Sequence, residues 1–116
     1  MGRFMLKAKI HRATLTGTAL DYEGSITVDR RLLEEADILP GEQVHVLNVN
    51  NGQRFITYTI PSDGNAGAVI LNGPAARLGE IGDKVIIVSY CLVDNERAKD
   101  FKTKVVFVDD KNRIKQ

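Results

Sequence analysis

Residues 44–60 read VHVLNVNNGQRFITYTI. Val44, Val46 and Val49 mark a β-branched strand, and Asn51-Gly52 is a strong signal for a tight hairpin turn. The return strand, 53–60, places Arg54, Ile56, Tyr58 and Ile60 on one face and Phe55, Thr57 and Thr59 on the other, because successive strand side chains alternate. The same period of two extends outward. Toward the N-terminus, Phe4, Leu6, Ala8 and Ile10 alternate with Met5, Lys7 and Lys9, which predicts a strand with Lys7, Lys9 and His11 on one face. Ile26-Thr27-Val28 is a further β-branched run. Asp29 can cap a helix over 30–36, with Leu32, Leu33 and Ala36 on one side and Pro40-Gly41 ending it. Toward the C-terminus, a loop over 61–67 leads to a short strand, 68–71. Pro74 suits the first position of a short helix. Gly79, Gly82 and Asp83 form a turn before the most apolar strand, 84–93. A polar segment, a last strand over 105–108 and a polar tail expected to fray complete the chain. Six or so short strands with few helices predict an all-β fold, a closed or nearly closed β-barrel that leaves few unpaired edges.

The chain has 116 residues, and 16 Lys and Arg face 15 Asp and Glu for a formal charge of +1. That length supports a single domain, 1–116, and 43% hydrophobic residues are enough for a core. Near-zero charge gives no reason to expect nucleic acid or an anionic membrane as the main partner. The apolar runs, such as 85–88, are too short to cross a bilayer, and Arg3, Lys7 and Lys9 interrupt any signal-peptide segment. Met1-Gly2 begins like a myristoylation motif, but Leu6 stands where Ser or Thr is wanted. A single cysteine, Cys91, excludes an internal disulfide and a thiolate metal site. A soluble, cytoplasmic protein is expected.

No phosphate-binding glycine loop, HExxH or GxSxG stands in the sequence, and His11 and His45 are the only histidines, so no metal is expected. Lys9 and His11, two apart, can face one anion, although their spacing alone better describes a solvated strand face. Arg54 could grip a carboxylate and Tyr58 could pass a proton; an exposed Arg and a packed Tyr ring are the simpler reading. His45 and Cys91 read as structural. Gly24-Ser25 reads as a turn, since a serine attacks the preceding carbonyl only where the fold holds it there. Residue chemistry by itself stops at a small β-barrel with a basic face, which leaves open a non-catalytic interaction or nucleic-acid-binding module.

KAKIHRATLT (7–16), DYEGSITVD (21–29), NGQRFITYTI (51–60) and the segment 72–83 stand in that order. Together they closely resemble the bacterial aspartate 1-decarboxylase family, over roughly residues 5–93. The resemblance implies a double-psi β-barrel with short peripheral helices, assembled as a homotetramer with active sites between subunits. It implies decarboxylation of L-aspartate to β-alanine for pantothenate biosynthesis, with a covalent pyruvoyl group as cofactor and neither metal nor pyridoxal phosphate. Ser25 would attack the Gly24 carbonyl, and the proenzyme would split into chains 1–24 and 25–116. The pyruvoyl group formed from Ser25 would take the substrate amine as a Schiff base. Tyr58 matches the proton donor, Arg54 a carboxylate-binding residue, and Lys9 and His11 residues lining the substrate site. Thr57 and Asn72 match supports of the cleavage oxyanion and the pyruvoyl site. Gly73, Pro74 and Ala75 match backbone that contacts substrate, and Tyr22 precedes the cleavage point. Many relatives carry Ala where this chain has Pro74, which removes a backbone N–H. The resemblance also leaves room for a maturation factor.

Overall fold

A computed structural model describes residues 1–115. In chain order the elements are β1 (Gly2–Thr14), β2 (Gly17–Ala19), β3 (Ser25–Asp29), α1 (Arg30–Ala36), β4 (Gln43–Asn48) and β5 (Arg54–Ser62). Then come β6 (Val69–Asn72), a 3₁₀ turn (Gly73–Leu78), β7 (Lys84–Asp94), α2 (Asn95–Ala98) and β8 (Lys104–Phe107). The strands form one mixed sheet in the order β2-β6-β3-β5-β4-β7-β1-β8. Three pairs are parallel, β1 with β8, β2 with β6 and β3 with β5. One apolar cluster joins Leu71 of β6, near one end of that order, to Val106 of β8 at the other, together with Ile10, Ile26, Val46 and Ile87. Residues from both ends of a sheet share one core only if the sheet curls around it. The mainly β architecture expected from the alternating patterns is therefore present, as a small barrel-like body.

The hairpin over 44–60 forms as its sequence predicts. β4 and β5 pair antiparallel, with Val44 opposite Thr57 and Val46 opposite Phe55. Val44 and Val46 are buried, whereas Val49 lies outside the strand and is exposed. β5 runs beyond its expected end through Pro61 and Ser62. There it is paired only with β3, so one side can accept a residue without an N–H.

α1 occupies the expected residues, and Asp29 Oδ1 accepts the Arg31 N–H at 3.0 Å as its cap. The helix ends earlier than Pro40-Gly41 implies. Asp37 takes the left-handed conformation with φ 56°, and its N–H closes onto Leu33 and Glu34 carbonyls. Three-residue β2 and four-residue α2 fall in segments without a legible period, and neither was expected.

The tail corrects a second expectation. Through residue 115 it does not fray; only Gln116 lies outside the described residues. Val108 bridges to Ile114, and Asn112 is 2% exposed. Its side chain accepts the Thr14 N–H at 2.7 Å and donates to the Thr14 and Gly67 carbonyls, both at 2.8 Å. A single buried amide anchors this segment, so apolar patterning gives no sign of it.

Candidate active site

Ser25 opens β3, fully buried, and pairs across the ladder with Asn72, the last residue of β6. Asn72 Nδ2 donates to Ser25 Oγ at 2.9 Å and to Thr27 Oγ1 at 2.8 Å. Ser25 Oγ in turn donates to the Glu23 carbonyl at 3.0 Å. The hydroxyl is thus fixed at both ends, with an amide donor already on its oxygen. Gly73 follows with φ 64°, and a Cβ there would lie 2.7 Å from both Gly24 N and Tyr22 O. Only glycine lets the 3₁₀ turn pass this close to residues 22–24. Pro74 lies within the first two positions of that turn, where its fixed φ is suitable and a missing N–H breaks no helical bond. Its ring packs over Gly24: Cδ is 3.4 Å from where a Gly24 Cβ would stand.

Beside this peptide lies an open cleft of ≈ 380 Å³, bounded by Gly24, Thr57, Tyr58, Pro74 and Ala75. Thr57 and Tyr58 should face opposite sides of a strand, yet both border it. Along this stretch β5 is paired with β4 alone, because pairing with β3 starts at Thr59. The cleft follows that open strand edge, which both residues reach. Tyr58 is 36% exposed, and its hydroxyl donates to Glu23 Oε2 at 3.4 Å. Desolvation, then the Glu23 charge, pushes the phenol above its ordinary pKa. It remains protonated at neutral pH, as a proton donor must.

The predicted cationic residues stand elsewhere. Lys9 of β1 is opposite Val88 of β7, Val88 is opposite His45 of β4, and His45 is opposite Ile56 of β5. This row crosses the outer face of the sheet, and Arg54 lies two residues from Ile56 on the same face as Tyr58. Three strand spacings separate Lys9 from that end of the row, roughly 14 Å. Arg54 leans over β4 and β7, on the opposite side of β5 from β3. Its Nη2 donates to Tyr90 Oη at 3.0 Å and lies 3.3 Å from His45 Nδ1.

His11 meets Phe107 edge to face at 5.6 Å, and its Nδ1 is buried without a partner. Burial, then the charges of Lys9 and Arg12, lowers its pKa, so the ring is neutral at neutral pH. Of Lys9, His11 and Arg54, His11 thus offers a neutral ring rather than a cation. Tyr22 is exposed beside the cleavage segment.

The structure therefore brings together Tyr22, Gly24, Ser25, Thr57, Tyr58, Asn72, Gly73, Pro74 and Ala75, and leaves Lys9, His11 and Arg54 apart from them. Sequence reasoning missed four contacts. Thr27, two residues from Ser25 on one strand face, was open to detection by periodicity. Glu23, His45 and Tyr90 depend on pairings that no local pattern encodes. Among the described residues no group of three His, Cys, Asp or Glu side chains is placed to hold a metal ion, and no helix is long and apolar enough to cross a membrane.

Comparison with known proteins adds a separate line of argument. A protein-family model described as aspartate decarboxylase matches residues 1–115. A protein of Thermoanaerobacter pseudethanolicus named aspartate 1-decarboxylase is 55% identical over 113 residues, covering 97% of each chain. Proteins of the same name from Carboxydothermus hydrogenoformans and Syntrophus aciditrophicus are 56% and 55% identical. The first alignment covers 95% of this chain and 87% of the relative, and the second covers 99% of each.

Proposed function

The chain belongs to the aspartate decarboxylase family, and on that premise we propose that Gly24-Ser25 is its maturation site and the adjoining cleft its catalytic centre. The protein is an enzyme that decarboxylates L-aspartate to β-alanine and carbon dioxide, the β-alanine serving pantothenate biosynthesis. That membership sets aside the non-catalytic module.

The observation that carries the site assignment is the Asn72 amide on Ser25 Oγ, with Gly73 pressed against Gly24. Ser25 Oγ attacks the Gly24 carbonyl carbon and the acyl group passes from nitrogen to oxygen. The ester then breaks by β-elimination, freeing the Gly24 carboxylate. Hydrolysis of the remaining enamine end releases ammonia and leaves a pyruvoyl group at position 25. Thr57 and Asn72 supply donors for the oxygen that gains charge during the attack. The donor set fits a pyruvoyl group: a fully buried position, an amide N–H aimed at it, and an open cleft beside it. When present, that group supplies a ketone that captures the substrate amine and takes up the electrons released by the departing α-carboxylate.

The rest is done by side chains and backbone. Tyr58 donates a proton at the α-carbon. Lys9 and Arg54 bind carboxylate, with His11 as a neutral hydrogen-bonding neighbour. Pro74 has no N–H, so substrate contacts from this turn come from the Gly73 and Ala75 amides.

Neither Lys9 nor Arg54 lines the cleft of its own subunit, and two strands stand between the strands that carry them. The outer face that carries them also exposes Phe4, Ile56, Leu92, Val105 and Phe107. Both features support assembly of several copies, as in a homotetramer, with one subunit's cations completing a neighbour's cleft. Size-exclusion chromatography with light scattering tests the assembly. Intact mass under denaturing conditions tests maturation, and an assay of carbon dioxide release from L-aspartate tests turnover. Normal cleavage and turnover in a Ser25→Ala variant would overturn the site assignment.

A further inference from the structure

Arg54 differs from the three ion-paired arginines of this chain in what holds it. Arg30 is paired with Asp63, Arg31 with Asp29 and Arg113 with Asp109, so each of those charges already faces a carboxylate. Arg54 meets a phenol and an imidazole instead of a carboxylate. Its Nη2 reaches Tyr90 Oη at 3.0 Å and His45 Nδ1 at 3.3 Å. The two rings brace each other edge to face, with centroids 5.0 Å apart and planes at 71°. Their strands are neighbours: His45 of β4 is opposite Val88 of β7, and Tyr90 follows Val88 by two residues on the same face. Glu42, which borders a surface cavity together with His45 and Tyr90, is engaged elsewhere. Its carboxylate binds Lys7 Nζ at 2.8 Å and the Leu39 N–H at 2.9 Å.

We infer that His45 and Tyr90 are positioning residues that hold the Arg54 guanidinium, with its charge uncompensated, for a carboxylate of the substrate. This rests on the reading of Arg54 as a carboxylate-binding residue and deepens it. The physical argument has two parts. An arginine side chain loses considerable rotamer freedom when it is fixed, and a site that fixes it beforehand reduces the cost at binding. A carboxylate could fix it equally well but would cancel the charge that an anionic substrate needs. A phenol oxygen and an imidazole nitrogen fix it without bringing a carboxylate's negative charge, so the guanidinium charge stays available. Both hydrogen bonds that Arg54 makes to described residues use Nη2, so among the described residues its Nε and Nη1 hydrogens are not engaged in a hydrogen bond.

Tyr90→Phe removes only the hydroxyl from a partly exposed ring and keeps the edge-to-face contact. His45→Phe removes only the acceptor, and His45→Gln keeps one. With wild-type enzyme and each variant first shown by mass to be cleaved, Tyr90→Phe and His45→Phe should each raise the KM for L-aspartate about 3- to 10-fold while kcat stays within about twofold. His45→Gln should recover part of the loss. In an Arg54→Ala background Tyr90→Phe should have no further effect on KM, because its only action passes through Arg54. Unchanged KM in cleaved, active Tyr90→Phe and His45→Phe overturns the inference and leaves the functional reading intact. A KM increase that persists in the Arg54→Ala background also overturns it. A wild-type chain that never cleaves and never releases carbon dioxide overturns the reading itself, and the inference falls with it.

Discussion

The segment around Gly24-Ser25 and the outer face of the β1-β7-β4-β5 sheet are built on opposite terms. The first centres on a buried serine, is uncharged at that centre and is complete within one chain: Ser25, Asn72, Thr27 and the Glu23 carbonyl satisfy one another at 2.8–3.0 Å. The second is exposed, carries the charge and is incomplete. Lys9 and Arg54 stand on strands separated by two others, among apolar side chains that water would otherwise cover. The difference matches two kinds of chemistry. An internal acyl shift needs two atoms of one chain held close, which local turns and one ladder pair can do. Capture of a dicarboxylate substrate needs separated charges brought together, which one small sheet does not achieve alone.

That contrast separates cleavage from turnover, and variants should divide accordingly. The largest effect is expected from Ser25→Ala: a single uncut chain by mass, and no detectable carbon dioxide release. Next, Tyr58→Phe should cleave normally yet lose roughly 10²–10⁴-fold in kcat, the loss expected on removing a general acid. Unchanged turnover would remove Tyr58 from that role. Gly73→Ala should act on the other side of the division. Its Cβ would meet Gly24 N and Tyr22 O at 2.7 Å, at a φ of 64° that costs an alanine about 1–2 kcal/mol. Cleavage followed by time-resolved mass should slow about tenfold or more, and wild-type speed would mean that the close approach has no role. Arg54→Lys should leave cleavage untouched and raise the KM for L-aspartate about tenfold, because a point charge replaces the planar fork. Slower cleavage in that variant would erase the division between the two regions.

The smallest effect belongs to the far end of β3, where Asp29 caps α1 and also accepts the Gly67 N–H at 2.7 Å. Burial raises its carboxyl pKa, but hydrogen bonds from Arg31 and Gly67 outweigh that and leave it below the ordinary value. A depressed folded pKa stabilises above the unfolded value of about 3.9 and is lost as pH falls through the folded value. Melting temperature should therefore drop on acidification below about pH 4 by more in wild type than in Asp29→Ala. At neutral pH the variant should lose about 1 kcal/mol with its cap. Equal acid slopes would show that the Asp29 network does not contribute.

Much of the fold was legible in the sequence because its patterns are local. Alternation in 53–60, Asn51-Gly52 and the Asp29 cap each express their structure within a few residues. What escaped was held by distant pairings: the tail through Asn112 and the reach of β5 past Pro61. The site divides in the same way. Gly24-Ser25 and 72–75 were found through their joint resemblance to a family, since neither dipeptide is distinctive alone. The neutral state of His11 was not legible, because it follows from burial and from the charges of Lys9 and Arg12. His45 and Tyr90 escaped because the strand pairing that joins them to Arg54 leaves no trace in the spacing.

The most direct test of the account is the intact mass of the purified chain under denaturing conditions, before and after prolonged warming. The account predicts two species, 1–24 and 25–116, with the larger lighter by one ammonia than simple hydrolysis between Gly24 and Ser25 would leave it. A single full-length mass that persists through warming, or two pieces at the masses of plain hydrolysis, would contradict it.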